Sequence, residues 1–280
     1  MSDETILVTG ATGKTGRRVA QQLQDKAVLV RAASRSSQVR FDWADHATWA
    51  PALRDVTGMY LVAPDLGSSQ AAENIAAFAR RAAEAGVRRA VLVSFPHTGA
   101  PGLDLGHVAA AEQALGTAGL AATVLRPRWF FQNFSEDFLR DAVRSGDVRL
   151  PAGQGKEAFV DAEDIAAVAV TALTEDGHAG QSYELSGPRL MSFADAVADI
   201  AHATGHDIRY TALSAETYAT EQRAHGVPEE WVQLTIGLYA DVRSGSLNTL
   251  TGDVEKVLGR PPRDFTDYAR TAAAQGAWTA

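Results

Sequence analysis

Three glycines, at positions 10, 13 and 16, are the first residues whose type and spacing point to chemistry. The run Gly10-Ala11-Thr12-Gly13-Lys14-Thr15-Gly16 follows a strand-like segment at 6–9 and opens an amphipathic helix carrying Val19, Ala20 and Leu23. In a strand–turn–helix unit the first glycine permits the tight turn, and the second lets the backbone close on a pyrophosphate. The third allows close helix–strand packing, while free N–H groups at the helix start attract the anion. The motif therefore predicts a dinucleotide site built from Gly10, Thr12, Gly13, Lys14, Thr15 and Gly16. Its spacing is GxxGxxG. A nucleoside-triphosphate loop would need a four-residue spacer before a Gly-Lys-Ser/Thr triplet, which is missing, and the bland alternative is a glycine-rich connector with no ligand.

The second strand-like run ends Ala33-Ser34-Arg35-Ser36-Ser37, with no acid to take the ribose hydroxyls of NAD. Arg35 offers a guanidinium fork for a 2′-phosphate and a flat face for adenine, with Lys14 and Ser36 in support. The expected cofactor is NADP(H) in preference to NAD(H).

Further along, His97 follows Ser94-Phe95-Pro96 just past a strand's carboxyl end, where site residues gather, so it is a candidate for the substrate pocket and for proton donation. His107 reads as a surface helix residue. Histidines 46, 178, 202, 206 and 225 have no metal-ligand spacing, and no metal is expected. Trp129, Phe130, Phe131 and Phe134 form an aromatic cluster after Arg126-Pro127, readable either as core or as a wall for a flat aromatic substrate. Asn133 within it fixes either the nicotinamide or the loop. Asp161 and Asp164 read as helix-capping acids.

Behind these residues lies a 280-residue chain of 46% hydrophobic and 21% charged residues, enough to bury a full core. It has no cysteine, which excludes disulfides, thiolate metal sites and a cysteine nucleophile. The acidic start running straight into a strand is read as no secretory or transit peptide, and no apolar run is long enough to span a membrane, so the expected location is cytoplasmic. A net charge of −8 disfavours nucleic-acid and anionic-membrane partners. Strands are expected at 6–9, 28–33, 39–41, 59–62, 90–93, 123–125 and 182–185, with helices at 14–24, 48–53, 70–85, 106–118 and 162–173. That alternation predicts an α/β fold, a Rossmann-like doubly wound parallel sheet over residues 1–190. Residues 191–280 are expected to form a small, mostly helical C-terminal substrate lobe (helices at 193–204, 215–225 and 229–242, a strand at 207–211), interleaved with the sheet rather than independent. Only residues 34–38 separate the second and third strands, so the usual crossover helix is expected to be missing there.

Taken in order, these fragments resemble the NmrA-like branch of the atypical short-chain dehydrogenase/reductases, and especially the bacterial NAD(P)H-dependent quinone oxidoreductases of the second type. The resemblance runs through Val8-Thr9-Gly10-Ala11-Thr12-Gly13, Phe41-Asp42-Trp43, Leu125-Arg126-Pro127 with Phe131 and Asn133, and Phe159-Val160-Asp161. It continues through Tyr183-Glu184-Leu185-Ser186-Gly187 to Leu258-Gly259-Arg260-Pro261-Pro262. It implies that Asp42 and Trp43 flank the adenine, Ala63 and Pro64 lie along the ribose, and Ser94 and Phe95 sit near the nicotinamide. It also implies that the loop holding Gly153, Gly155 and Lys156 closes over the cofactor.

Typical short-chain reductases use a Tyr-x-x-x-Lys pair as acid. The four lysines here (14, 26, 156 and 256) have no tyrosine four residues before them. The chain is accordingly read as an NADPH-dependent oxidoreductase passing hydride to a quinone or related aromatic carbonyl, with His97, Phe130, Phe131 and Asn133 around the substrate and His97 and Ser94 as catalytic candidates. A non-catalytic NADP(H)-binding redox sensor and a tailoring ketoreductase of an aromatic polyketide are the alternatives, and the chain is expected to be a monomer or homodimer.

Overall fold

The computed structural model describes residues 4–97 and 105–279. Eleven strands are described: β1 (Thr5–Thr9), β2 (Leu29–Ser34), β3 (Val39–Arg40), β4 (Gly58–Val62), β5 (Arg89–Val93), β6 (Ala121–Pro127), β7 (Asp147–Leu150), β8 (Lys156–Glu157), β9 (Ser182–Leu185), β10 (Met191–Ser192) and β11 (Arg209–Ala212). The helices of the sheet half are α1 (Gly16–Asp25), α2 (Trp49–Leu53), α3 (Ser69–Glu84), α4 (Leu105–Thr117), α5 (Arg140–Ser145) and α6 (Ala162–Thr174). They are followed by α7 (Phe193–Thr204), α8 (Ala215–Ala224), α9 (Glu229–Ser244), α10 (Asp253–Leu258) and α11 (Phe265–Ala274).

Seven strands form one parallel sheet in the order β3-β2-β1-β4-β5-β6-β9. Its strands are apolar on both faces because both faces are covered. Leu7, Met59, Leu61, Ala90 and Leu92 share a core with Ile75 and Phe78 of α3 and Leu115 of α4. Ile6, Val8, Tyr60, Val91 and Leu125 turn the other way, onto Val19 and Leu23 of α1 and Ile165 and Ala169 of α6. The chain reverses direction across the sheet between β1 and β4, and a crevice opens at the carboxyl ends there. Thr9 props that opening: its hydroxyl donates to Tyr60 O at 3.1 Å and accepts from Val62 N at 3.0 Å.

The expected absence of a crossover helix is correct. β2 and β3 pair in parallel, Ala33 opposite Val39, with residues 35–38 between them. Ser34 shapes this tight loop, its Oγ lying 2.6 Å from Ser37 Oγ and accepting from Ser36 N at 3.2 Å.

The lobe takes in more chain than the stretch beyond residue 190. Its core joins Phe131, Phe134, Val148 and Phe159 to Phe193, Tyr239 and Phe265, and β7 pairs with β11. Sequence reading passed over β7, β8, β10, α5, α10 and α11. The strands and the first two helices are two to six residues long, too short for a period to register. Among the described residues no helix is long and apolar enough to cross a membrane.

On the α3 face, Phe78 is fully buried, with its ring 5.2 Å from Phe41, 5.4 Å from Trp43 and 5.3 Å from Trp49. Phe78→Ala is expected to cost about 3–5 kcal/mol of unfolding free energy in urea titrations. A loss below about 1 kcal/mol would contradict the packing described.

Candidate functional site

A cleft of about 470 Å³ occupies the crevice between β1 and β4. Gly10, Thr12, Gly13, Lys14 and Thr15 form its floor, and Ser34, Arg35 and Ser36 one end. Phe41, Asp42 and Trp43 stand behind them, and Ala63, Pro64 and Phe130 lie toward the other side. Gly10 adopts φ +60°, which favours glycine. A Cβ on Gly16 would stand 2.2 Å from Gly10 O, so only glycine lets α1 meet the turn this closely. Thr15 makes no side-chain cap, and the first turn of α1 carries no acid, which leaves the helix start electrostatically open to an anion. These features fit a dinucleotide diphosphate.

The partners around the Arg35 end of the cleft are fixed. Trp43 donates from Nε1 to Val62 O at 2.9 Å, and Asp42 Oδ1 accepts from Ala44 N. Arg35 projects from the β2–β3 loop, exposed and with no hydrogen bond or ion pair among the described residues. A guanidinium so placed is available to a phosphoryl group.

Lys14 marks the far end of the cleft. Its ammonium donates to Asn133 Oδ1 at 2.9 Å, pairs with Asp137 and lies 5.4 Å from the Phe130 ring centroid. Lys14 and Phe130 also line a second pocket of about 320 Å³, so the two spaces share a wall. Phe95, Pro96, Pro127, Arg128, Trp129 and Asn133 bound this pocket from the sheet side, and Leu234, Leu238 and Val242 of α9 close it from the lobe. A larger recess of about 640 Å³ lies behind α1 and is lined by charged residues that pair with one another, such as Arg18 with Glu136 and Glu163.

Beside Phe95, the helix that carries the acid in typical short-chain reductases presents Glu112. Arg126 grips its carboxylate from two nitrogens, at 3.0 and 2.5 Å, and His97 Nε2 lies 3.3 Å away. Burial alone would push the Glu112 carboxyl up. The hydrogen bonds and charge of Arg126, the nearby Ser94 hydroxyl and the charge of His97 outweigh it and hold the group below the usual carboxylate range. A carboxylate held ionised in this way orients its neighbours and is a poor proton donor.

Some expected site residues stand elsewhere. Phe131 is 1% exposed and packs on Phe265 and Tyr268, in the lobe core rather than on the pocket wall, because the 3₁₀ turn Phe131–Phe134 turns its ring inward. Ser94 is buried and does not line the pocket, and exposed His97 turns toward Glu112 rather than into it. Gly153, Gly155 and Lys156 do not line the cleft. Gly155 is needed where a Cβ would meet Val242 O at 2.3 Å, Gly153 lies against Arg243, and Lys156 is exposed on β8 opposite Ser192. Asp161 does cap α6, accepting from Glu163 N, while Asp164 holds Arg260 and Arg263 N.

Sequence reading missed the Glu112–Arg126 pair, Arg128 and the α9 wall. Nothing local flags a salt bridge between two elements, but Leu234, Leu238 and Val242 recur every four residues, the signature of one helix face.

A family profile described as NAD(P)H-binding matches residues 10–176. The chain is 31% identical to the uncharacterized oxidoreductase YesF of Bacillus subtilis, covering 100% of this chain and 98% of the relative. It is 33% identical to the NAD(P)H azoreductase of Xenophilus azovorans, over 96% of this chain and 98% of that enzyme. Among solved structures, the NADPH-dependent quinone oxidoreductase QOR2 of Escherichia coli superposes with a TM-score of 0.71 at 25% identity, covering 95% of this chain and 98% of that one.

One buried acid, within reach of the charge of Arg128, titrates in an accessible range. Burial pushes the Glu157 carboxyl from 4.5 up to about 7, against the opposing pull of the Ala158 N–H and the Arg128 charge. The folded state therefore holds this proton more tightly than the unfolded chain. Stability falls as pH rises from about 4.5 through 7 and levels off above. Glu157→Gln is expected to raise unfolding free energy by about 1–2 kcal/mol at pH 8 and to change it little at pH 4.5. Equal shifts at both pH values in urea titrations would contradict this.

Proposed function

This chain belongs to the NAD(P)H-binding family and is an NAD(P)H-dependent oxidoreductase, and from that premise we propose that it transfers hydride from NADPH to a quinone or related aromatic carbonyl compound. The observation that carries this reading is the shared wall. A cleft of dinucleotide character and an apolar pocket meet at Lys14 and Phe130, so a planar ring in the second abuts the end of the first. The relatives' names point the same way, with an azoreductase and a quinone oxidoreductase among them. An apolar pocket beside the cofactor cleft favours turnover over a sensor that merely binds NADP(H).

When bound, the nicotinamide supplies the hydride. The chain's residues supply alignment and a dry site. Gly10, Gly13 and the start of α1 take the diphosphate, Arg35 takes the 2′-phosphate, and Lys14 and Asn133 hold the junction where hydride donor and acceptor meet. Phe130, Trp129 and the leucines of α9 exclude water around the acceptor ring. Overall, NADPH, a proton and a quinone give NADP⁺ and a hydroquinone. The intermediate phenolate is a stabilised anion, so a buried tyrosine acid is dispensable, and the final proton comes from solvent.

Purified protein is expected to oxidise NADPH in the presence of 1,4-naphthoquinone well above the uncatalysed rate. Arg35→Ala is expected to raise KM for NADPH about ten- to hundredfold, the worth of a charge-assisted phosphate contact, while leaving KM for NADH within about threefold. Steady-state kinetics with both cofactors decide it: no quinone-dependent oxidation removes the proposal, and equal KM changes remove the role of Arg35.

A further inference from the structure

The apolar pocket is lined by a buried cation, two of whose donors have no protein partner. Arg128 is 6% exposed, and its Nη2 donates to Thr249 Oγ1 at a long 3.4 Å. Its Nε and Nη1 are shut off from solvent with no hydrogen-bond partner. Leaving charged donors unsatisfied in an apolar wall is costly unless something else fills them. The nearby acids do not. Glu157 influences Arg128 only through space, its Oε2 being itself unpartnered, and Asp241 faces the same pocket with an unpartnered Oδ2 yet forms no ion pair with Arg128. Most of the remaining wall is apolar, with Phe95, Trp129, Phe130, Leu234 and Leu238, which suits a flat ring, while Lys14 and Asn133, already joined to each other, also line it.

We propose that the acceptor bound in this pocket is an aromatic carrying one anionic oxygen substituent, a carboxylate, sulfonate or phosphate, which docks on the open donors of Arg128. The ring then lies among Phe130 and the α9 leucines, and the anionic group sits at the Arg128 end. Charge-assisted contacts of this kind are about twice as strong as neutral ones, so the substituent selects substrates as well as anchoring them. The proposal rests on the reductase reading only in taking the occupant as the hydride acceptor; the anion preference of the pocket stands by itself.

Isothermal titration of the NADP⁺-loaded enzyme with naphthalene-2-sulfonate and with its neutral analogue naphthalene-2-sulfonamide tests it, because neither compound accepts hydride. The sulfonate is expected to bind about ten- to hundredfold more tightly than the sulfonamide. Arg128→Met is expected to bring the two within about twofold of each other. Arg128→Lys keeps the charge and loses the planar donors, and is expected to retain only a several-fold preference; it also serves if the methionine variant fails to fold. Equal affinities in the wild-type enzyme, as a merely water-filled pocket would give, overturn the proposal, and so does an undiminished preference in Arg128→Met. A preserved sulfonate preference in an enzyme that reduces no quinone supports the anion site and counts against the reductase reading alone.

Discussion

The contact on which the site depends is the one between Gly16 and Gly10. Helix α1 meets the end of β1 so closely that a single added carbon would stand 2.2 Å from a backbone oxygen. That approach brings the uncapped, acid-free start of the helix to the crevice where the sheet reverses direction. Thr9 holds β1 and β4 in register up to the point where they diverge, and Gly10 turns the chain away there at φ +60°. A side chain at position 16 would push the helix off the strand and turn its dipole away from the cleft. The nucleotide end is built outward from this contact, with Arg35 and Trp43 placed by the short β2–β3 unit and by the α3 aromatic core.

A second constraint ties the two halves together. Lys14 belongs to the glycine turn, yet its ammonium is held by Asn133 and Asp137, which lie in the segment leading into the lobe. The residue that ends the cleft at the glycine turn therefore also begins the apolar pocket, and the two spaces meet at its side chain. Nearby, Glu112 is kept ionised by Arg126, while Arg128, two residues further along the chain, is left with open donors. The first arginine is spent on structure, and the second is the one we propose for a ligand. The contrast follows from which carboxylates lie within reach of each.

Most of the sheet was legible in the sequence because parallel strands covered on both faces read as unbroken apolar runs, such as 6–9 and 90–93, and α3 shows its buried stripe through Ile75, Phe78 and Ala82. The glycine turn was legible because its chemistry is local. The lobe was less so. Its core is assembled from residues 131–159 and 191–278, so no single stretch carries its pattern, and its strands are too short to show alternation. Phe131 was misplaced because an aromatic residue in a short turn has no periodicity to say which way it faces. The family resemblance placed the loop glycines 153 and 155 over the cofactor, whereas Gly155 admits the close approach of α9, a contact between segments nearly ninety residues apart. The Glu112–Arg126 pair and Arg128 depend on the same kind of long-range placement.

The most direct test of the account is a crystal structure of the protein with NADPH. The diphosphate is predicted to lie against the backbone of the glycine turn and the start of α1, the 2′-phosphate against Arg35, and the nicotinamide at the junction of Lys14 and Phe130, with its hydride-donating carbon about 3–3.5 Å from an acceptor seated in the apolar pocket. A cofactor bound instead in the charged recess behind α1, or one whose nicotinamide points away from Phe130, would contradict it.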